Sequence, residues 1–292
     1  MIQELRHEHN YQLQELLHYS FLAKSTYEYH PRSRRKKYSD LALLSLIKVV
    51  KRHNPSFGYL PMTDTLKIKY GLQVNHKRIY RLMKEHKLLA RKYNLRAGKY
   101  DSSKGPQGKK AKNRFHQKFK TDRPYQKVVT DISEFRYGNK SMSERLYFSP
   151  FKDLYSGEII SYIISQRPQT KYVLDGLKQV LAIRPKLPYR MTIHSDQGIQ
   201  YQSKAYCQTL KQHHVFQSMS RRATCYDNAA CESLFHIMKV ELDYYTYTYP
   251  TKKALQEAME KWIKYYNQAR IRHTLKGRTP IEYRNTALAN MN

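Results

Sequence analysis

Three carboxylates in this 292-residue chain sit where an acid needs a chemical reason. Asp131 interrupts the apolar run VVTDISEF (128–135), Asp196 ends MTIHSD (191–196), and Glu232 lies in CYDNAACESLFHIMKVE (225–241). A carboxylate buried without a partner costs several kcal/mol, so each needs hydrogen bonds, a cation or a metal ion. Sites in open α/β sheets gather at strand ends, where these three can converge. Crowded together they repel unless a multivalent cation neutralises them, and hard oxygen ligands favour Mg²⁺, with Mn²⁺ as a substitute. Two such ions about 4 Å apart activate an attacking oxygen and stabilise a leaving one in an in-line phosphoryl transfer. Singly, the acids carry blander readings. Glu232 in a helix's first turn complements the macrodipole. Asp153 and Asp227 read as turn formers, and His194 reads as structural rather than as a ligand.

The elements that must position these acids follow from periodicity. Residues 225–241 read as one amphipathic helix entered from a turn, with Asp227 or Asn228 as N-cap. Leu234, Phe235, Met238 and Leu242 make its apolar stripe; Glu232, His236, Lys239 and Asp243 make the opposite, polar one. Glu232 and Lys239 stand two turns, roughly 10 Å, apart, too far for a helical ion pair. Something other than an ion pair belongs in that gap, with His236 between them as a candidate contact to DNA or to a metal-holding side chain. Before this helix come a strand at 128–135, a hairpin over 146–165 turning at 155–157, a helix at 170–183, a strand at 191–196, a helix at 203–213 and a strand at 215–220. That order predicts an α/β fold, a mixed five-stranded sheet flanked by helices in the ribonuclease H-like arrangement.

The N-terminal third reads as all-α. Residues 11–30 suggest two short helices about a break near 21–23, with Leu13, Leu16 and Leu17 packed. A helix from Asp40 to about Arg52 carries Leu41, Leu44, Ile47 and Val50. Two more follow, the second capped by Asn75, in a helix-turn-helix layout. Lys77, Arg78, Arg81 and Lys84 face DNA in that reading, and Ile79, Leu82 and Met83 face the core. The divisions expected are 1–37 (short helical segment and basic linker), 38–90 (helix-turn-helix domain), 91–123 (basic linker), 124–245 (catalytic core) and 246–292 (C-terminal helix and basic tail).

Composition agrees with a polyanionic partner. Lys plus Arg number 54 against 23 acids, a net charge of +31, which makes nucleic acid the first candidate. No long apolar segment spans a bilayer, the N-terminus lacks an apolar signal region, and the three cysteines show neither metal-site nor disulfide spacing. A reducing, cytoplasmic setting is expected.

HSDQGIQY, SMSRRATCYDNAACES and the following MKVE resemble the DDE integrase core of IS3-family insertion-sequence transposases. YGLQVNHKRIYRLMKEHKLL resembles the helix-turn-helix segment before that core, and YYNQARIRHTLKGRTPIEY the element after it. The resemblance covers nearly the whole chain. It implies that Asp131, Asp196 and Glu232 are the metal-binding catalytic triad, with two Mg²⁺ ions per site, and that Lys239 contacts DNA beside it. It also implies cleavage of one strand at element ends and transfer of the 3′-hydroxyl to a new phosphodiester of double-stranded DNA. A homo-oligomer in the synaptic complex, and fusion to an upstream-frame DNA-binding protein, are further implications, since the chain looks like a second-frame product. A nucleoid-associated bacterial protein is expected. Two positions depart from the pattern: Val128 and Val129 stand where the family often has Trp, and Ala223 where it often has Gly. Outside that resemblance, a catalytically silent DNA-binding regulator and a ribonuclease H-like nuclease remain as competing functions.

Overall fold

The computed structural model describes residues 2, 6, 10–27, 38–90, 110–221 and 225–291. The basic run at 32–37, most of the basic linker (91–109) and Ala223 lie outside the described residues. The chain divides into two compact units, residues 1–43 and 44–292.

In the first unit, α1 (Leu13–Tyr19) and α2 (Lys24–Tyr27) flank a break where Phe21 takes a φ of 53°. Of the three leucines expected to pack, only Leu17 is buried. Helix α3 (Asp40–His53) buries Leu44, Ile47 and Val50, whereas Leu41 is 78% exposed. Steps of three fall short of a helical turn by about 60° each, so Leu41 and Val50 end on opposite faces.

Helix α4 (Tyr59–Tyr70) ends at Gly71, whose φ of 66° gives the left-handed closure a side chain would resist. Helix α5 (His76–Glu85) starts where the Asn75 side chain accepts from the Lys77 backbone N–H at 2.9 Å. Ile79, Leu82 and Met83 are buried, Lys77, Arg81 and Lys84 are exposed, and Arg78 is half-buried.

The sheet holds six strands: β1 (Lys127–Thr130), β2 (Ser133–Arg136), β3 (Arg145–Asp153), β4 (Ile159–Ser165), β5 (Thr192–Ser195) and β6 (Phe216–Met219). It is mixed: β3 pairs antiparallel with β1, β2 and β4, while β1–β5 and β5–β6 are parallel. The sixth strand comes from a break in the one expected at 128–135. Thr130 opposes Phe151 and Ser133 opposes Phe148, so the register is unchanged across the gap. At the gap Asp131 faces Pro150, which has no N–H to give, and the Ile132 N–H turns to the Asp131 carboxylate. Counting β1 and β2 as one interrupted strand recovers five positions.

Helices cover both faces. Val128 points to one face, packed with Val173, Leu177 and Val180 of α6 (Thr170–Ile183) and with Tyr201 of α7 (Ile199–Gln202) and Leu210 of α8 (Lys204–Gln212). Val129 points to the other, against α9 (Ala229–Glu241) and α10 (Lys252–Gln268). Both valines are wholly buried. In α9 the expected apolar stripe is buried, and its neighbours Cys231 and Val240 are buried too. Glu241 fastens the far end of α9, accepting from Arg270 at 2.8 Å and from the Trp262 indole at 2.9 Å. The described chain closes with α11 (Pro280–Ala289), whose Arg284 ion-pairs with Glu158. No helix among the described residues is long and apolar enough to cross a membrane.

Candidate active site

Strand register brings the first two acids together. Val129 of β1 pairs with His194 of β5 in parallel, and two residues further on Asp131 stands beside Asp196. Adjacent strands lie about 4.8 Å apart, so both carboxylates leave the sheet side by side at the strands' C-terminal ends. Asp131 Oδ1 accepts from the Ile132 N–H at 2.8 Å, and Oδ2 accepts from the Asn228 side-chain amide at 2.9 Å. Asp196 Oδ1 accepts from the Gly198 N–H at 2.9 Å, and a Cβ at Gly198 would stand 3.0 Å from that oxygen. Burial raises the Asp131 carboxyl well above its usual range, the Asp196 charge adds to the rise, and Glu232 contributes a smaller push. The Ile132 and Asn228 hydrogen bonds oppose it.

Glu232 sits in the first turn of α9 and is exposed. Among the described residues, no three Asp, Glu, His or Cys side chains are gathered closely enough to hold a metal ion as they stand. The donor chemistry nevertheless fits a hard divalent cation. Two adjacent carboxylates repel one another, a third acts on Asp131 from the helix, and the buried Asn228 Oδ1 beside them has no hydrogen-bond partner among the described residues. Cys231 and Tyr201 line the same region. Burial first, and then the nearby acids, push both of their pKa values up.

Lys239 is held indoors. Its ammonium lies 4.9 Å from the Phe135 ring centre and 5.7 Å from that of Tyr244, and burial lowers its pKa against the pull of Glu134. His236 is half-buried on the same helix between Glu232 and Lys239. Lys77, Arg78, Arg81 and Lys84 belong to α5, a different element from those carrying the carboxylates.

Two neighbouring residues have roles that periodicity does not reveal. Asn228 opens α9 yet makes no side-chain cap bond; its amide goes to Asp131 instead. Asp227 turns the other way. It accepts from the Arg221 backbone N–H at 2.9 Å, the Asn113 amide at 2.9 Å and the Gln117 amide at 3.3 Å. Burial works against the Asp227 charge, but the Arg221 bonds outweigh it and hold the carboxyl at about 2. Lys152, a buried lysine on β3, donates to the Ala230 carbonyl at 3.0 Å. Nothing in the sequence marks any of these partners, because each is a contact between distant segments. His194 is structural as expected. Its nitrogens meet Ser218 Oγ at 2.7 Å and Ser220 Oγ at 3.1 Å, its ring stacks on Phe115, and burial lowers its pKa to about 4.

Comparison with known proteins matches an integrase core domain over residues 121–225 and again over 232–288, and an HTH-like domain over 38–96. The InsK protein for insertion sequence element IS150 of Escherichia coli K12 is 37% identical over 278 residues, covering 94% of each chain. Transposase InsF for insertion sequence IS3fB of the same organism is 32% identical over 180 residues, covering 61% of this chain and 60% of that one. Among solved structures, the HTLV-2 integrase catalytic core in complex with magnesium gives a TM-score of 0.44 at 16% identity, covering 56% of this chain and 99% of that one. With a relative this similar along almost its full length, and with the integrase core and HTH-like domains in order, the chain belongs to the IS3-family insertion-sequence transposases, polynucleotidyl transferases of the DDE type.

Proposed function

We propose that the chain cuts one strand at each end of an insertion sequence and joins the freed 3′-hydroxyl to a new phosphodiester by transesterification. The observation that carries this reading is the registered pair Asp131 and Asp196, two mutually repelling carboxylates at adjacent parallel strand ends. In the joining step the 3′-hydroxyl gives its proton to solvent as its oxygen bonds to phosphorus, the bond from phosphorus to the target's 3′ oxygen breaks, and that oxygen leaves and takes up a proton from solvent. No enzyme side chain is covalently linked on the way.

Asp131, Asp196 and Glu232 are the residues that would hold two Mg²⁺ ions, or Mn²⁺ in their place. When bound, such ions supply charge stabilisation for the attacking and leaving oxygens. The Ile132 N–H and the Asn228 amide fix the Asp131 oxygens, and the Gly198 N–H fixes one oxygen of Asp196. Lys239, roughly 10 Å along α9 from Glu232, serves as a DNA contact beside the reacting phosphate, with His236 between them. Lys77, Arg78, Arg81 and Lys84 of α5 contact the DNA that the helix-turn-helix grips, and the charge of +31 adds a salt-sensitive hold on backbone phosphates. Two element ends must meet, so the working form is a homo-oligomer, acting alone or fused to an upstream-frame DNA-binding protein. The setting is the bacterial cytoplasm, on the nucleoid.

A strand-transfer assay on end-containing oligonucleotides with Mg²⁺ or Mn²⁺ tests the reading. Joined product that disappears in Asp131→Asn, Asp196→Asn and Glu232→Gln is the expected result. Binding without product in every context, including the upstream fusion, points instead to a silent regulator. Hydrolysis without joining points to a ribonuclease H-like nuclease.

A further inference from the structure

We infer that Asn228 is a positioning residue for Asp131, and so for the metal site proposed above. Three observations meet at this side chain. It stands at the N-terminus of α9, where Asn commonly caps the helix, yet it makes no cap bond. Its Nδ2 donates to Asp131 Oδ2 at 2.9 Å, across 97 residues of sequence. Its Oδ1 is buried and has no hydrogen-bond partner among the described residues. A buried amide oxygen left unpaired is costly, so a side chain that accepts this arrangement serves something other than local stability.

The local structure explains how the cap can be given up. A 3-10 turn, Cys225–Asn228, runs directly into α9, so the helix is entered from preformed turns rather than from an extended residue. The Asn228 φ of −126° and ψ of 23° lie outside the extended geometry of an ordinary N-cap. Its neighbour Asp227 is held from the opposite side by Arg221, Asn113 and Gln117, which fixes the backbone from which Asn228 reaches.

The geometry also states what is positioned. An ionised carboxylate offers about four acceptor sites. Ile132 takes one on Oδ1 and Asn228 takes one on Oδ2, so the plane of the carboxylate is set while one lone pair on each oxygen remains for a cation. Partners that orient metal-ligating side chains typically change metal affinity by about 10- to 100-fold when removed. The unpaired Oδ1 is available to accept from a water or from a hydroxyl of bound DNA.

The inference rests on Asp131 being a metal ligand, and the test separates the two. Mn²⁺ alone is titrated into the full chain and followed by electron paramagnetic resonance, with thermal unfolding measured in metal-free buffer. The parent should bind Mn²⁺, and Asp131→Asn should lose it. Asn228→Ala should melt within about 2 °C of the parent, since the side chain caps nothing, but bind Mn²⁺ at least about tenfold more weakly. Asn228→Gln, which keeps the amide on a longer arm, should recover part of that affinity. Parent-like Mn²⁺ affinity in Asn228→Ala overturns the inference while leaving the triad intact. If Asn228→Ala loses both stability and affinity, absence of any rescue by Gln marks a merely structural role and also overturns it. If the parent and Asp131→Asn bind Mn²⁺ alike, the metal-site reading itself fails and takes this inference with it.

Discussion

Two acidic pairs stand at opposite ends of β1, Asp153 and Glu158 buried, Asp131 and Asp196 half-buried, and their surroundings differ. At one end Asp153 accepts from the Tyr125 N–H at 2.9 Å, the Ser156 N–H at 2.9 Å and the Ser156 hydroxyl at 2.7 Å, and its neighbour Glu158 meets the Arg284 guanidinium. At the other end Asp131 receives two hydrogen bonds, and the dominant influences on it are burial and the charges of Asp196 and Glu232, with no cation among them. Burial raises both carboxyls, Glu158 to about 7, so neither pair is comfortable. The difference lies in the source of the balancing charge. The Glu158 end takes it from the protein's own C-terminal helix. In the site proposed above, the Asp131 end would take it from a bound metal ion.

The largest effect should separate the two ends by function. Asp131→Asn is expected to reduce strand transfer below detection while leaving binding to end-containing DNA within about twofold, a factor worth roughly 0.4 kcal/mol. Asp153→Asn should keep the chemistry and lower the melting temperature. Gel assays of joined product beside DNA-binding titrations check both, and an active Asp131→Asn would break the comparison.

Next in size is Arg284→Ala. It strands Glu158 without its guanidinium, and losing one partner of a buried pair costs about 3 kcal/mol. Urea unfolding at neutral pH reads this loss. A change under about 0.5 kcal/mol would show that the pair is a surface decoration.

The pH dependence is smaller and has a definite sign. The folded-state value of Glu158, about 7, lies above its ordinary 4.5, so the native state binds the extra proton between those limits. Its contribution is fully present below pH 4.5 and is lost as pH rises through about 7. The slope should not exceed about 1.4 kcal/mol per pH unit. His194 has the opposite sign: its value of about 4 lies below the ordinary 6.5, so stability falls as pH drops through that window. Unfolding of the parent and of Glu158→Gln from pH 5 to 8 isolates the first term as a difference, because His194 and the other carboxyls act in both: the parent should lose stability relative to the variant as pH rises to about 7.

The smallest effect sharpens the contrast most directly. Without metal, Asp131→Asn should raise stability by about 1 kcal/mol, because it removes a like charge beside Asp196. Asp153→Asn should lower it. Equal signs would mean that the two ends are not built differently.

Much of this was legible in the residues. The helices at 170–183, 204–212 and 229–241 and the hairpin at 145–165 follow from apolar spacing and turn residues. The motifs around Asp196 and Glu232 pointed to the family. Periodicity misplaced Leu41, because three-residue steps drift around a helix. It read 128–135 as a single strand, because the proline that opens the ladder lies on a different strand. It offered Asn228 as a cap, because nothing local shows that Asp131 lies within reach.

The sequence by itself determined which acids are available, that the chain carries a net charge of +31, and which faces of most helices are apolar. These properties depend on residue type and on spacing along a single element. The tertiary structure decided that Asp131 and Asp196 leave adjacent parallel strands in register, that Glu232 stays exposed, that Lys239 packs against Phe135 and Tyr244, and that Asn228 serves Asp131. Strand pairing and side-chain hydrogen bonds join residues tens of positions apart, and the backbone geometry that sets them carries no local signature.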